Sequence, residues 1–249
     1  MAASLAGIAI AGWPGIELIE RVQEGNRNEV WRGRMGSTSV SVRRSRRSPE
    51  SLGWELDLIA NLAAAGFRVA QVVPSTAGQP HHEGVVVQRW LDGRAPGSDD
   101  DWTLVAATLR RVHAFGPNYP QRPGCLSSPE LTRTSRSVDA HMDALPDDVA
   151  ALVLTVFAEM RDVPTTLIHG DPTASNLRID DDGRVGLLDF DESRVDLSWH
   201  DLSNLGVEVL PTADHAQATR LSHAWETANA WVAEPDYARQ RLAALERGS

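Results

Sequence analysis

Two short stretches of the chain carry side chains whose types and spacing suit joint chemistry. One is His169-Gly170-Asp171-Pro172-Thr173-Ala174-Ser175-Asn176, and the other is Leu187-Leu188-Asp189-Phe190-Asp191. Asp171 offers a carboxylate able to accept a hydroxyl proton. Asn176, five residues on, and Asp189 offer hard oxygen atoms suited to Mg2+. Phosphoryl transfer asks for these parts, because the acceptor hydroxyl must be held in place and the phosphate charge neutralised by metal. An Asp-rich hairpin that merely caps its own turn does not account for the loop, the spacing and the second Asp together.

The elements around these stretches follow from hydrophobic spacing. Leu167-Ile168-His169 and Val185 to Asp189 are short apolar strands, with a turn at Asp180 to Gly183 between them. Upstream, Ile16 to Val22, Val30 to Gly33 and Ser39 to Arg43 read as strands separated by turns at Glu24 to Asn28 and at Gly36-Ser37. Pro49 to Ala65 has helical spacing, with Ser48 as N-cap and Gly66 closing it. Gln71 to Val73 and Gly84 to Gln88 are two further strands. From Asp99 onward the pattern is mostly helical. Helices are expected over Trp102 to Ala114, Arg136 to Leu145, Asp147 to Met160, Leu202 to Leu210, Ala213 to Val232 and about Pro235 to Arg247. Residues 116–134, rich in Pro, Gly and Ser, read as one long loop. Leu221, Trp225, Ala228 and Val232 share a helical face, as core packing or as a wall facing substrate. A β-rich part with one helix thus precedes a helix-rich part holding one buried hairpin, with a boundary near Leu91 to Pro96.

Composition removes several function classes. The 249 residues are 42% hydrophobic and 23% charged, enough for one large domain or two close lobes. The net charge of −10 and the lack of a basic tract beyond Arg43 to Arg47 argue against nucleic acid. Acidity weakly favours cationic substrates, although it also serves plain solubility. A single cysteine, Cys125, excludes a disulfide framework within the chain, and no Cys/His motif makes it a catalytic thiol. No apolar run reaches membrane-spanning length, and Met1 to Gly12 lacks a basic leader region. The expectation is a soluble cytoplasmic protein. Lysine is absent, so all 24 basic residues are arginine.

The His-Gly-Asp loop, the Asn five positions after its Asp and the following Asp-Phe dipeptide resemble the aminoglycoside phosphotransferase and choline kinase superfamily, a branch of the protein-kinase-like fold. The resemblance implies a bilobal α+β architecture. Residues 1–91 would form a β-rich nucleotide-binding lobe, and residues 92–249 a helical catalytic and substrate-binding lobe. It implies Asp171 as the catalytic base, with Asn176 and Asp189 holding Mg2+. Gly25 and Asn28 look like the loop over the phosphates of ATP or GTP. Arg43 stands where the family has a phosphate-pairing lysine, and Glu55 matches the carboxylate that pairs with it. Arginine keeps the charge and adds a fork, but it is longer. Arg89 and Leu91 match the hinge whose backbone meets the base. His113, His169 and Asp201 match positions that brace the catalytic loop. Asp191 and Glu192 are candidates for a cationic substrate or a second metal, or are solvated.

The activity implied is transfer of a γ-phosphoryl group to a hydroxyl of an aminoglycoside-like or other cationic antibiotic. The alternatives are a metabolite kinase acting on an amino alcohol or sugar, and a nucleotide-binding pseudokinase with a regulatory role, suggested by the missing lysine. The acceptor is a small molecule, with no nucleic-acid or membrane partner.

Overall fold

The computed structural model describes residues 10, 12–22, 29–134, 137, 139–160, 162–203, 205 and 209–248. They divide into two compact units: residues 1–96 with 174–189, and residues 97–173 with 190–249. No helix among the described residues is long and apolar enough to cross a membrane.

In the first unit, β1 (Ile16–Val22), β2 (Glu29–Met35) and β3 (Thr38–Arg44) form an antiparallel meander. Helix α1 (Pro49–Ala64) follows. Ser48 caps it by accepting from the Ser51 N–H at 3.3 Å, Pro49 occupies its first turn, and Gly66 ends it with φ +83°. Next come β4 (Arg68–Val69) and β5 (Val85–Arg89). Strand β5 pairs antiparallel with β3, Val42 opposite Val87 and Arg43 opposite Val86. Strand alternation sorts these residues. Val40, Val42, Val85 and Val87 pack against Trp13 on one face, leaving Ser41 and Arg43 on the other. Gln71 to Val73 is not a strand: Val72 makes a lone bridge to Gln88, and the parallel pairing falls at β4.

The second unit holds α2 (Asp99–Phe115), α3 (Ser128–Leu131), α4 (Asp147–Glu159) and β6 (Thr165–Ile168). Strands β7 (Leu177–Ile179) and β8 (Val185–Leu187) then make a hairpin belonging to the first unit, where β8 pairs parallel with β4. Back in the second unit, β9 (Arg194–Leu197) pairs antiparallel with β6 and leads into α5 (Trp199–Leu202), α6 (Thr212–Ala230) and α7 (Pro235–Arg247). The core joins Val153, Phe157 and Met160 of the α4 region to Leu221, Ala224, Trp225 and Ala228 of α6 and Leu245 of α7. Leu221, Trp225 and Ala228 are therefore core residues, while Val232 is 58% exposed.

Several expectations change. Strands 167–168 and 185–187 do not pair with each other, since each finds another partner. The expected helix from Arg136 to Leu145 lies partly outside the described residues, and its described part holds only a 3-10 turn, Met142–Ala144. There the His141 N–H is spent on the Ala228 carbonyl of α6 rather than on a helical partner. Of Leu202 to Leu210, Leu202 ends α5, residues 204 and 206–208 lie outside the described set, and Leu205, Val209 and Leu210 are not helical. Cys125 is buried and donates its thiol to Asp139 at 3.0 Å. Burial, with the Asp139 carboxylate beside it, pushes that thiol up to about 12.

Candidate active site

In the second unit, β6 ends at Ile168 and delivers the loop His169-Gly170-Asp171. The loop is fastened by Asp201 at the start of α5. Its fully buried carboxylate accepts from the His169 and Gly170 N–H groups, each at 2.8 Å, and lies 2.9 Å from His113 Nε2 of α2. Burial pushes the Asp201 carboxyl upward, but the His113 contact and the backbone donors outweigh it and hold the group below the ordinary aspartate range. Ser193 donates to the His169 carbonyl at 2.7 Å. Gly170 has φ +91°, and a Cβ there would meet the Glu192 carbonyl at 2.3 Å, so this position takes no other residue without displacing the backbone. Asp171 is held over this framework half-buried, its N–H 3.4 Å from His169 Nδ1 and its carbonyl accepting from the Thr173 N–H at 2.9 Å.

The segment after Asp189 is held by Arg122, a buried arginine that the sequence reading missed. One Nη1 donates to the carbonyls of Phe190, Asp191 and Ser193 at 2.6–3.3 Å. Its neighbour Gln121 pairs with both backbone groups of Val195. No periodicity marks an arginine in a Pro/Gly-rich loop as a core residue. Asp191 is 8% exposed, so it is not solvated.

In the first unit, the β7–β8 hairpin closes around Asp180, whose Oδ1 accepts from the Asp182 and Arg184 N–H groups. At its open end the Leu188 N–H donates to the Asn176 carbonyl at 2.9 Å, which keeps Asn176 beside Leu188 and Asp189. Asp189 adopts φ +54°, a left-handed conformation that Asp tolerates better than most residues. Observed outliers of this kind gather at functional sites.

Asn176 and Asp189 line a pocket that also receives Ser41 and Arg43 from β3, and Arg89, Trp90 and Leu91 from the end of β5. Val22, Val30, Ala70 and Leu188 give it apolar walls. Arg43 is 6% exposed and donates Nη2 to Oε1 of Glu55, which α1 buries completely. The structure therefore brings together Arg43, Arg89, Leu91, Asn176 and Asp189, with Glu55 behind Arg43. Asp171 belongs to the second unit, and Gly25 and Asn28 lie outside the described residues. Among the described residues no group of three or more His, Cys, Asp or Glu is placed to hold a metal. Asn176 and Asp189 both line the pocket, and each carries a hard side-chain oxygen of the type that suits Mg2+, a cation that commonly draws its other ligands from phosphate and water.

The fold sets a first class: proteins of kinase-like, mixed α+β architecture. The phosphotransferase enzyme family matches residues 18–242, and the chain belongs to that family. It is accordingly a phosphotransferase. A homoserine kinase of Methylobacterium sp. (strain 4-46) is 28% identical over 216 residues, covering 82% of this chain and 67% of that protein. The chain spans 55–67% of the length of the curated relatives it matches. The streptomycin–ATP ternary complex of APH(2")-IIa is similar in fold, with a TM-score of 0.65 and 12% identity over 94% of this chain and 93% of that one. Choline kinase LicA from Streptococcus pneumoniae has a TM-score of 0.64 and 14% identity over 93% of each chain.

Proposed function

We propose that the chain is a small-molecule kinase that transfers the γ-phosphoryl of ATP or GTP to a hydroxyl of a small cationic compound. The observation that carries this reading is the pocket uniting Arg43, Asn176 and Asp189 with the chain segment at Arg89 to Leu91. In it, residues 1–91 serve the nucleotide and residues 92–249 serve catalysis and the acceptor, with 174–189 grouped with the first compact unit. Asp171 accepts the proton of the hydroxyl. Arg43, steadied by Glu55, meets phosphate oxygens. Asn176 and Asp189 hold Mg2+, which when bound neutralises charge on the phosphates. Gly25 and Asn28 cover the phosphates, and the backbone at Arg89 and Leu91 meets the base.

Two arms of the acceptor class have support. An aminoglycoside-like or other cationic antibiotic fits the likeness to the streptomycin complex and to an amicoumacin kinase. An amino alcohol fits the homoserine, aminopropanol and choline kinases. The test is ADP release coupled to added acceptor, run with streptomycin, homoserine, aminopropanol and choline. Acceptor-dependent release identifies the arm. Nucleotide binding without release for any hydroxylated amine tested would instead favour the regulatory pseudokinase, whose motive is the absence of lysine.

A further inference from the structure

The pocket of the first unit presents a hydrogen-bonding edge with a defined polarity. Gln88 sits on β5 opposite Ser41, lines the pocket and is 9% exposed. Its Nε2 donates to the Ala70 carbonyl at 2.8 Å. A carbonyl only accepts, so this bond fixes which end of the amide is nitrogen. With Nε2 engaged by Ala70, Oε1 is the end of this pocket-lining amide that remains to accept.

The backbone next to it continues the pattern. The Arg89 N–H donates to the Gln71 carbonyl at 2.8 Å, and the Trp90 N–H donates to the Ser39 carbonyl of β3's leading edge at 3.0 Å. In extended chain the N–H and C=O of one residue point to the same edge, and successive residues alternate. The Arg89 carbonyl therefore points away from β3, and the same alternation carried past the end of β5 would turn the Leu91 N–H that way. Gln88, Arg89 and Leu91 all line the pocket. Together they present two acceptors followed by a donor.

We infer that the enzyme reads adenine and uses ATP in preference to GTP, with Gln88 as the residue that reads the base. This rests on the kinase reading above. The 6-amino group of adenine has two N–H donors, one for Gln88 Oε1 and one for the Arg89 carbonyl, and its N1 accepts from the Leu91 N–H. Guanine reverses that edge, with a 6-oxo acceptor and an N1–H donor. In the same seat its oxygen meets two acceptors and its N1–H meets a donor. Sites built around hydrogen bonds reject analogues that leave buried polar groups unmatched.

Equilibrium binding of ATP, GTP and inosine triphosphate to the full chain with Mg2+, measured calorimetrically without acceptor, tests this. Inosine triphosphate carries the 6-oxo group without the 2-amino group of guanine, so it isolates the 6-position. ATP should bind at least about 10-fold more tightly than either of the others. GTP or inosine triphosphate binding as tightly as ATP overturns the base assignment and leaves the kinase reading standing, whereas no binding of any of the three overturns both. Gln88→Met, which keeps length and removes the acceptor, should cut the ATP-to-inosine triphosphate ratio by at least threefold, roughly. A packing role would change all three affinities alike, so an unchanged ratio in a folded variant overturns the role of Gln88. If the variant does not fold, the wild-type comparison decides.

Discussion

Asp171→Asn keeps the shape of the loop and removes its proton acceptor. Loss of a positioned general base costs about 10²–10⁴ in rate, so acceptor-dependent turnover should fall by that much while nucleotide affinity changes little. Near wild-type turnover in this variant would remove Asp171 from the role. At Arg43 the expected order is wild type, then Arg43→Lys, then Arg43→Ala in nucleotide kinetics, because lysine keeps charge but not the fork. Arg44, on the opposite side of the strand, should tolerate alanine, and equal losses at 43 and 44 would contradict the assignment. Asp189→Ala should weaken Mg-nucleotide binding, with unchanged affinity counting against its role in holding the metal. Asp171 and Asp189 stand out in the sequence by residue type and spacing, whereas Arg43 is nominated only through the family resemblance. Arg122 and Gln88 were not legible in these roles. An arginine whose work is to hold three carbonyls, or a glutamine whose amide is oriented by one, differs in no local way from a surface residue.

Two buried aspartates of the second unit, Asp201 on α5 and Asp196 on β9, should make its stability sensitive to acid. Asp201 titrates below the ordinary aspartate value in the folded state. Its contribution is therefore complete above the unfolded value of about 4 and is lost as pH falls through the lower folded value. Asp196 on β9, fully buried, behaves alike: burial raises it, and the nearby His200 and Arg194 more than reverse this. Denaturant unfolding should thus show stability falling below about pH 4. Asp201→Asn sets an amide donor against backbone N–H groups and should cost about 3 kcal/mol at pH 7. A loss under about 0.5 kcal/mol would mean that Asp201 does not fasten the loop. Helix α1 was readable from its apolar spacing and its Ser48 cap, and α4 and α7 lie close to the bounds expected for them. Strand β9 was not, since Arg194 and Asp196 are charged yet buried against each other. Helix α3 carried a readable sign, the capping box of Ser127 and Glu130, within a stretch whose composition spoke for loop.

At the scale of the molecule, the order of a β-rich part before a helical part was readable. The placement of residues 174–189 with the first unit was not, because β8 pairs with β4 across more than a hundred residues, and no local pattern records such a pairing. The net charge of −10 bears on the acceptor. For a cationic acceptor kcat/KM should fall roughly threefold between low and high salt, and for a neutral one it should not. An equal response to salt would leave charge steering without a part. Cys125 is the sole sulfhydryl of the sequence and sits in the second unit. Sealed and held near 12, it has almost no thiolate at pH 8 and should react about 10³-fold more slowly than an ordinary cysteine. Each modification event then counts an opening of that half of the protein, so the native chain carries its own stopwatch for local unfolding, readable by mass spectrometry without any label being engineered.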